Sequence, residues 1–267
     1  MTGIVDPSKL PELLAALSED RKGTLLSPYK IVLRPDLTLE LRPRKNLAVS
    51  DADVLEELVI EDQYNLHTFV RPTDTTIVDI GGHIGIFSVL AATFAPLAQI
   101  HSFEPHPDNY AQFNKNVRLN NLERRISVYN LGVSDREETA ELYVSAENVG
   151  AHSTFHDERK KSLPIKLTTL AGIFRDAQLQ HIDLLKLDCE GEEYTILLTT
   201  PPELMHKIDR IILEQHITLD TLRTYTPNSL TDYLHVCGFA VDKLKEITYP
   251  DEGTFYILHA RRSNGNN

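Results

Sequence analysis

"VDIGGHIG", residues 78–85, decides how this chain is read. It places one aspartate and three glycines between a short apolar run and a long one. Glycine weakens a strand and lets another group approach the backbone closely. The stretch therefore reads as the end of a strand, "TTIVDIG", a turn, and the start of a helix, "IGIFSVLAATFA". That helix is apolar on every side, as a helix packed between a sheet and other elements would be.

Outward from the turn the pattern repeats. "QIHSFE" is the next strand, and "PDNYAQFNKNVRLNN" is an amphipathic helix with Tyr110, Phe113 and Val117 on one face. "ISVYNLGVSD" reads as a third strand, and "TAELYVS" and "LPIKLTTL" as additional ones. "IDLLKLDCEG" is strongly strand-like, and the helix after it is stopped by Pro201 and Pro202. "IDRIILEQH" is a further strand, "PNSLTDYLHVCG" a helix, and "FAVDKLKEI" with "TFYILHARR" an antiparallel pair. Strands alternating with helices predict an α/β fold, a mostly parallel sheet with helices on both faces.

Residues 1–72 break this rhythm and are set apart as an N-terminal extension, a lid or an oligomer contact, from the domain at 73–267. The spacing predicts a helix over 7–20, a hairpin around Arg34-Pro35-Asp36-Leu37, and a helix from Ser50 to about Tyr64.

Composition narrows the function classes. The chain has 267 residues, 41% hydrophobic and 25% charged, with a formal net charge of −12. A surface of that sign repels phosphate backbones, which argues against a nucleic-acid partner. Two cysteines, Cys189 and Cys237, are too few for a disulfide framework or a thiolate zinc site. Residues 80–103 carry no Asp, Glu, Lys or Arg, but Gly81, Gly82, Gly85 and Pro96 interrupt them, so a membrane span is not expected. "MTGIVDPSKL" has no basic stretch followed by an apolar one, and the expected location is the cytoplasm.

A glycine turn at a strand end suits a nucleotide-like ligand. The dinucleotide fingerprint needs a glycine where Ile80 stands, which disfavours the alternative of a nucleotide-dependent oxidoreductase. Asp79 would repel a pyrophosphate but suit an ammonium group. Glu104, closing the second strand, is placed to accept from ribose hydroxyls, and Asp135 in "GVSD" to read an adenine edge. A ribose, an adenine and an aminoacyl sulfonium describe S-adenosylmethionine.

"IVDIGGHIGIFSVLAA", "SFEPHPDNYAQFNKNV", "LGVSD", "LLKLDCEGEEYTIL" and "ILEQH" resemble, in order, the blocks of FkbM-type methyltransferases, within the Rossmann-like class I enzymes. The likeness covers roughly residues 60–216, and "KLDCEGEE" is its most specific block. It implies a seven-stranded sheet with an antiparallel last strand. It also implies methyl transfer from S-adenosylmethionine, usually to a hydroxyl of a small molecule or sugar. Position 83, often Asn in such proteins, is His83, and Leu170-Ala171 stands where Leu-Asp is usual. A non-catalytic protein that kept the cofactor pocket is the remaining alternative.

The cofactor-binding candidates are Tyr64, Asp79, Gly81, Gly82, His83, Gly85, Glu104, Pro105 and Asp135. The catalytic candidates are Asp188, Glu190 and His216, with His216 as general base oriented by Asp188 or Glu190. His152 and Ser153 are substrate-contact candidates. Asp188, Glu190 and His216 carry donors that suit magnesium, but nothing has dedicated ligand spacing, and no metal is assigned. The expected partner is a small-molecule acceptor, with no membrane and a homo-oligomer as one use of the extension.

Overall fold

The computed structural model describes residues 4–44, 47–144, 161–249 and 253–263. Helix α1 (Leu10–Arg21) is followed by the hairpin β1 (Tyr29–Arg34) and β2 (Leu37–Leu41), then α2 (Asp51–Val59) and α3 (Leu66–Phe69). Next come β3 (Thr76–Ile80), α4 (Ile86–Phe94), β4 (Gln99–Phe103), α5 (Pro107–Leu119) and β5 (Ile126–Tyr129). Three strands, β6 (Gly132–Ser134), β7 (Thr139–Val144) and β8 (Lys161–Thr169), lead to α6 (Leu170–Asp176). Then follow β9 (Ile182–Leu187), α7 (Glu192–Thr199), α8 (Pro202–Met205), β10 (Ile208–Ile217) and α9 (Leu219–Leu222). Helix α10 (Ser229–Val236) precedes β11 (Phe239–Tyr249) and β12 (Gly253–Arg262).

The main sheet has seven strands in the order β11-β12-β10-β9-β3-β4-β5. Strands β5, β4, β3, β9 and β10 run parallel, and β12 is antiparallel to both its neighbours. This is the mostly parallel sheet with an antiparallel last strand that the resemblance implies. The chain builds outward from β3 through β4 to β5, then returns to the other side of β3 as β9. The carboxyl ends of β3 and β9 are therefore the topological switch point, where open α/β sheets bind ligands.

The central strands are apolar on both faces, as helices on each side require. Ile77, Val78, Ile80, Leu184, Leu185 and Leu187 are all buried. The buried exceptions are Asp79 and Lys186, which stand opposite each other in the β3–β9 register. They form an ion pair at 3.4 Å, so a charge in each strand is compensated within the sheet.

The extension shares a core with the sheet. Leu13, Leu17, Leu39 and Leu55 belong to one apolar cluster with Ile77, Leu90, Phe113 and Leu184. The polar face of α5 holds the hairpin: Asn116 Oδ1 accepts from the Glu40 N–H at 2.7 Å, and Asn120 exchanges two hydrogen bonds with Thr38. These amides close the free edge of β2.

Two expectations are corrected. The helix starting at Asp51 ends at Val59 rather than near Tyr64. Asp62 and Asn65 adopt left-handed backbone, φ 46° and 51°, and the turn they make buries Tyr64. "ISVYNLGVSD" is two strands. Its first half ends the main sheet as β5, and its second half, β6, pairs with β8 in a separate three-stranded sheet.

Candidate active site

One cavity opens at the switch point. It is lined at one end by Gly81, Gly82, His83, Glu104 and Pro105, and at the other by Asp188, Glu190, Glu214 and His216. Val54, Glu57 and Leu58 of α2 and the buried Tyr64 close it from the side of the extension.

The turn is forced by crowding. Gly81 has φ +79°, and a Cβ there would stand 1.7 Å from the carbonyl oxygen of Asp188. Gly85 has φ +87° and faces the ring of Phe113, as Gly82 does. The Gly81 and Gly82 N–H groups both donate to the Phe103 carbonyl, so the turn is tied to the end of β4. His83 is itself left-handed, φ 50°, and its N–H donates to Glu104 at 2.8 Å. Glu104 also accepts from the His106 N–H at 2.8 Å and the Asn109 amide at 3.3 Å. Burial still raises its carboxyl to about 7, against those hydrogen bonds.

The extension clasps this turn. Arg42 donates through Nε and Nη2 to the fully buried carboxylate of Asp51, at 2.9 and 2.7 Å. The same Nη2 lies 3.2 Å from His83 Nε2. Burial lowers the His83 imidazole to about 4, so it stands neutral beside the guanidinium.

The other end is dominated by carboxylates. The Tyr64 hydroxyl contacts Glu214 Oε2 at 2.7 Å and Asp188 Oδ2 at 3.2 Å, and Lys186 Nζ lies 3.5 Å from that same Asp188 oxygen. Burial, with Glu214 and Asp188 as neighbouring charges, pushes Glu57 up to about 8. Burial likewise pushes Glu190 up to about 8. Glu190 and Gly191 are both left-handed, φ 57° and 105°, which turns the chain sharply out of β9 into α7.

Tyr64, Gly81, Gly82, His83, Glu104 and Pro105 line the cavity, as do Asp188, Glu190 and His216. Three expected cofactor residues do not. Asp79 is fully buried beneath the turn, accepting from Ser88 at 2.6 Å and paired with Lys186, so it has no path to an ammonium group. Gly85 packs on Phe113. Asp135 is exposed and paired with Arg136 at 2.9 Å. His152 and Ser153 lie outside the described residues.

The orienting partner expected for His216 also changes. Its Nδ1 lies 3.1 Å from Glu193, not from Asp188 or Glu190. Burial disfavours the imidazolium, but Glu190, Glu193 and Glu214 outweigh it and hold the ring well above the ordinary imidazole range. Glu193 sits in the first turn of α7. Fully buried, it accepts from the Cys189 and Gly191 N–H groups at 2.7 and 2.9 Å and fixes His216.

Sequence reasoning missed Glu57, Lys186 and Asn109 as site residues. Lys186 had a signal: a lysine inside an otherwise apolar strand, "LLKLD", needs a buried counter-charge. Glu57 had none, because one glutamate in an acidic amphipathic helix looks like any solvated one.

The Methyltransferase FkbM domain matches residues 79–241, more than half of the chain. Methyltransferase 1 of Beauveria bassiana is similar at 25% identity, the match covering 88% of this chain and 98% of that protein. The AMB antimetabolite synthetase AmbE of Pseudomonas aeruginosa is also 25% identical over 70% of this chain, which spans 10% of that much longer protein. Among solved structures, the precorrin-6y C5,15-methyltransferase from Geobacter metallireducens GS-15 superposes with a TM-score of 0.49 at 14% identity, covering 86% of this chain and 99% of that one. No helix among the described residues is long and apolar enough to cross a membrane.

Proposed function

The chain belongs to the FkbM methyltransferase family, whose methyl donor is S-adenosylmethionine, and from that premise we propose that it methylates a hydroxyl of a small molecule or sugar-containing metabolite. The observation that carries this reading is the single cavity joining the glycine turn to the carboxylates at the ends of β9 and β10.

The residues at the turn fit the cofactor. Gly81 and Gly82 bring backbone to the cavity wall, Glu104 offers carboxylate oxygens to ribose hydroxyls, and Phe103, Leu131, Val133 and Leu167 make an apolar wall for a base. His83, held by Arg42 and Asp51, keeps the turn in shape. Bound there, S-adenosylmethionine supplies an electrophilic methyl group on a sulfonium. The protein then has to align the acceptor oxygen and remove its proton. Glu214, beside His216 and with its carboxyl raised by burial to about 7, is the proton acceptor that the geometry offers. Glu57, Leu58 and Tyr64 close the cavity as a lid and exclude water from the reacting atoms.

The test is methyl transfer from labelled S-adenosylmethionine to panels of hydroxylated glycosides, amines and thiols. A methyl ether as the product supports the reading; transfer to nitrogen or sulfur, or to none of the panels, removes it.

Glu104 carries a pH prediction. Its hydrogen bonds to ribose require the ionised form, and its carboxyl titrates at about 7. Affinity for S-adenosylhomocysteine should therefore rise about tenfold between pH 6 and 8. Glu104→Gln should bind more weakly at pH 8 and lose this slope; a variant that keeps the slope ends the assignment. Folding responds with the opposite sign. A carboxyl that holds its proton more tightly when folded contributes fully below its ordinary value of 4.5 and loses that contribution as pH rises through 7.

A further inference from the structure

We propose that Asp188, Glu190 and the Nε2 of His216 bind one hard divalent cation, magnesium or manganese, at the acceptor end of the cavity. One donor atom from each of the three lies within 4.8 Å of the others. Opposite donors around a cation with bonds of about 2.1 Å stand about 4.2 Å apart, so small side-chain rotations close the set. Glu214 adds a further carboxylate, its Oε1 3.9 Å from His216 Nε2.

Crowded carboxylates alone would not make a site. His216 points independently to a ligand. It is 5% exposed, yet its Nε2 faces the cluster with Glu190 at 3.7 Å and Glu214 at 3.9 Å, beyond hydrogen-bond distance. Its other nitrogen is fixed by Glu193, a residue outside the cluster. A carboxylate that orients a histidine through one nitrogen, leaving the other for a metal, is the usual outer arrangement of such sites.

Asp188 and Glu214 are held the same way. Tyr64 engages Oδ2 of Asp188 and Oε2 of Glu214, and Lys186 approaches the same Asp188 oxygen. The outer groups thus occupy one oxygen of each, and the second oxygen of each is the one left to coordinate. Two carboxylates, an imidazole and room for water suit magnesium or manganese better than a soft metal. Such a cation would hold the acceptor hydroxyl and ease loss of its proton.

This deepens the O-methylation reading, but its test needs no acceptor, so the two can fail separately. Manganese is titrated into the full chain and followed by electron paramagnetic resonance. The expected result is one manganese per chain, displaced by magnesium. Binding should be at least tenfold weaker in Glu190→Gln and His216→Ala, and roughly 10–100-fold weaker in Glu193→Gln, where only the positioning group is altered. Retained affinity for S-adenosylhomocysteine in Glu190→Gln shows that the variant is folded. Should His216→Ala not fold, nitrogen hyperfine coupling to the manganese in the unaltered protein reports the same ligand. No binding at millimolar manganese overturns the proposal. So does binding that survives Glu190→Gln but is lost in Asp183→Asn, which would place the ion at the surface trio His181, Asp183 and Asp209.

Discussion

Gly81→Ala should cost at least about 4 kcal/mol of stability and abolish binding of S-adenosylhomocysteine. Two effects add. A non-glycine residue in left-handed backbone costs about 1–2 kcal/mol. The larger effect is the collision: the new methyl would stand 1.7 Å from the carbonyl oxygen of Asp188 and 2.8 Å from its carbon. Both are backbone atoms, so no rotamer relieves the contact, and the ends of β3 and β9 must part at the mouth of the cavity. Gly23→Ala separates the two effects. Gly23 has φ +68° but nothing within 4 Å of the added carbon, so it should lose only the backbone cost. Urea denaturation of both variants, with calorimetric titration of S-adenosylhomocysteine, makes the comparison. Equal losses in the two would mean that the strand ends are not in contact.

Lys186→Met should destabilise the protein by about 3–5 kcal/mol at neutral pH, the usual cost of leaving a buried charge without its partner. Lys186 is 3% exposed and Asp79 fully buried. The lysine also donates to the Gly81 carbonyl at 2.7 Å, so its loss should loosen the turn as well. The double variant Lys186→Met, Asp79→Asn removes both charges and should recover most of the deficit. Without its lysine, Asp79 gains by binding a proton when folded. The deficit of the single variant should therefore narrow as pH falls and that carboxyl is neutralised. A single variant within about 1 kcal/mol of the unaltered protein, or a double variant as unstable as the single one, would show that the pair does not hold the sheet together.

Much of the fold was legible because its signals are local. A β-branched run before glycines, an all-apolar helix after them and a carboxylate closing the next strand lie within about thirty residues. Each is a matter of strand or helix period. The break of "ISVYNLGVSD" between two sheets was not legible, since both halves have the same strand character and only their partners differ. The end of α2 at Val59 was missed because Asp62 and Asn65 are ordinary polar residues until the chain bends there.

The sequence by itself determined the order of elements, the glycine turn, the family and the cofactor. Each follows from residues close in the chain, whose spacing is visible without knowing what lies across the sheet. Only the tertiary structure decided which of those residues face the cavity. Asp79 went to Lys186, 107 positions away, instead of to a ligand. Tyr64 reached Glu214 across 150 positions and Asp188 across 124, and Glu193 took His216 across 23. A side chain's charge and partner are set by its neighbours in space. A parallel sheet built outward from its middle brings those neighbours from opposite halves of the chain.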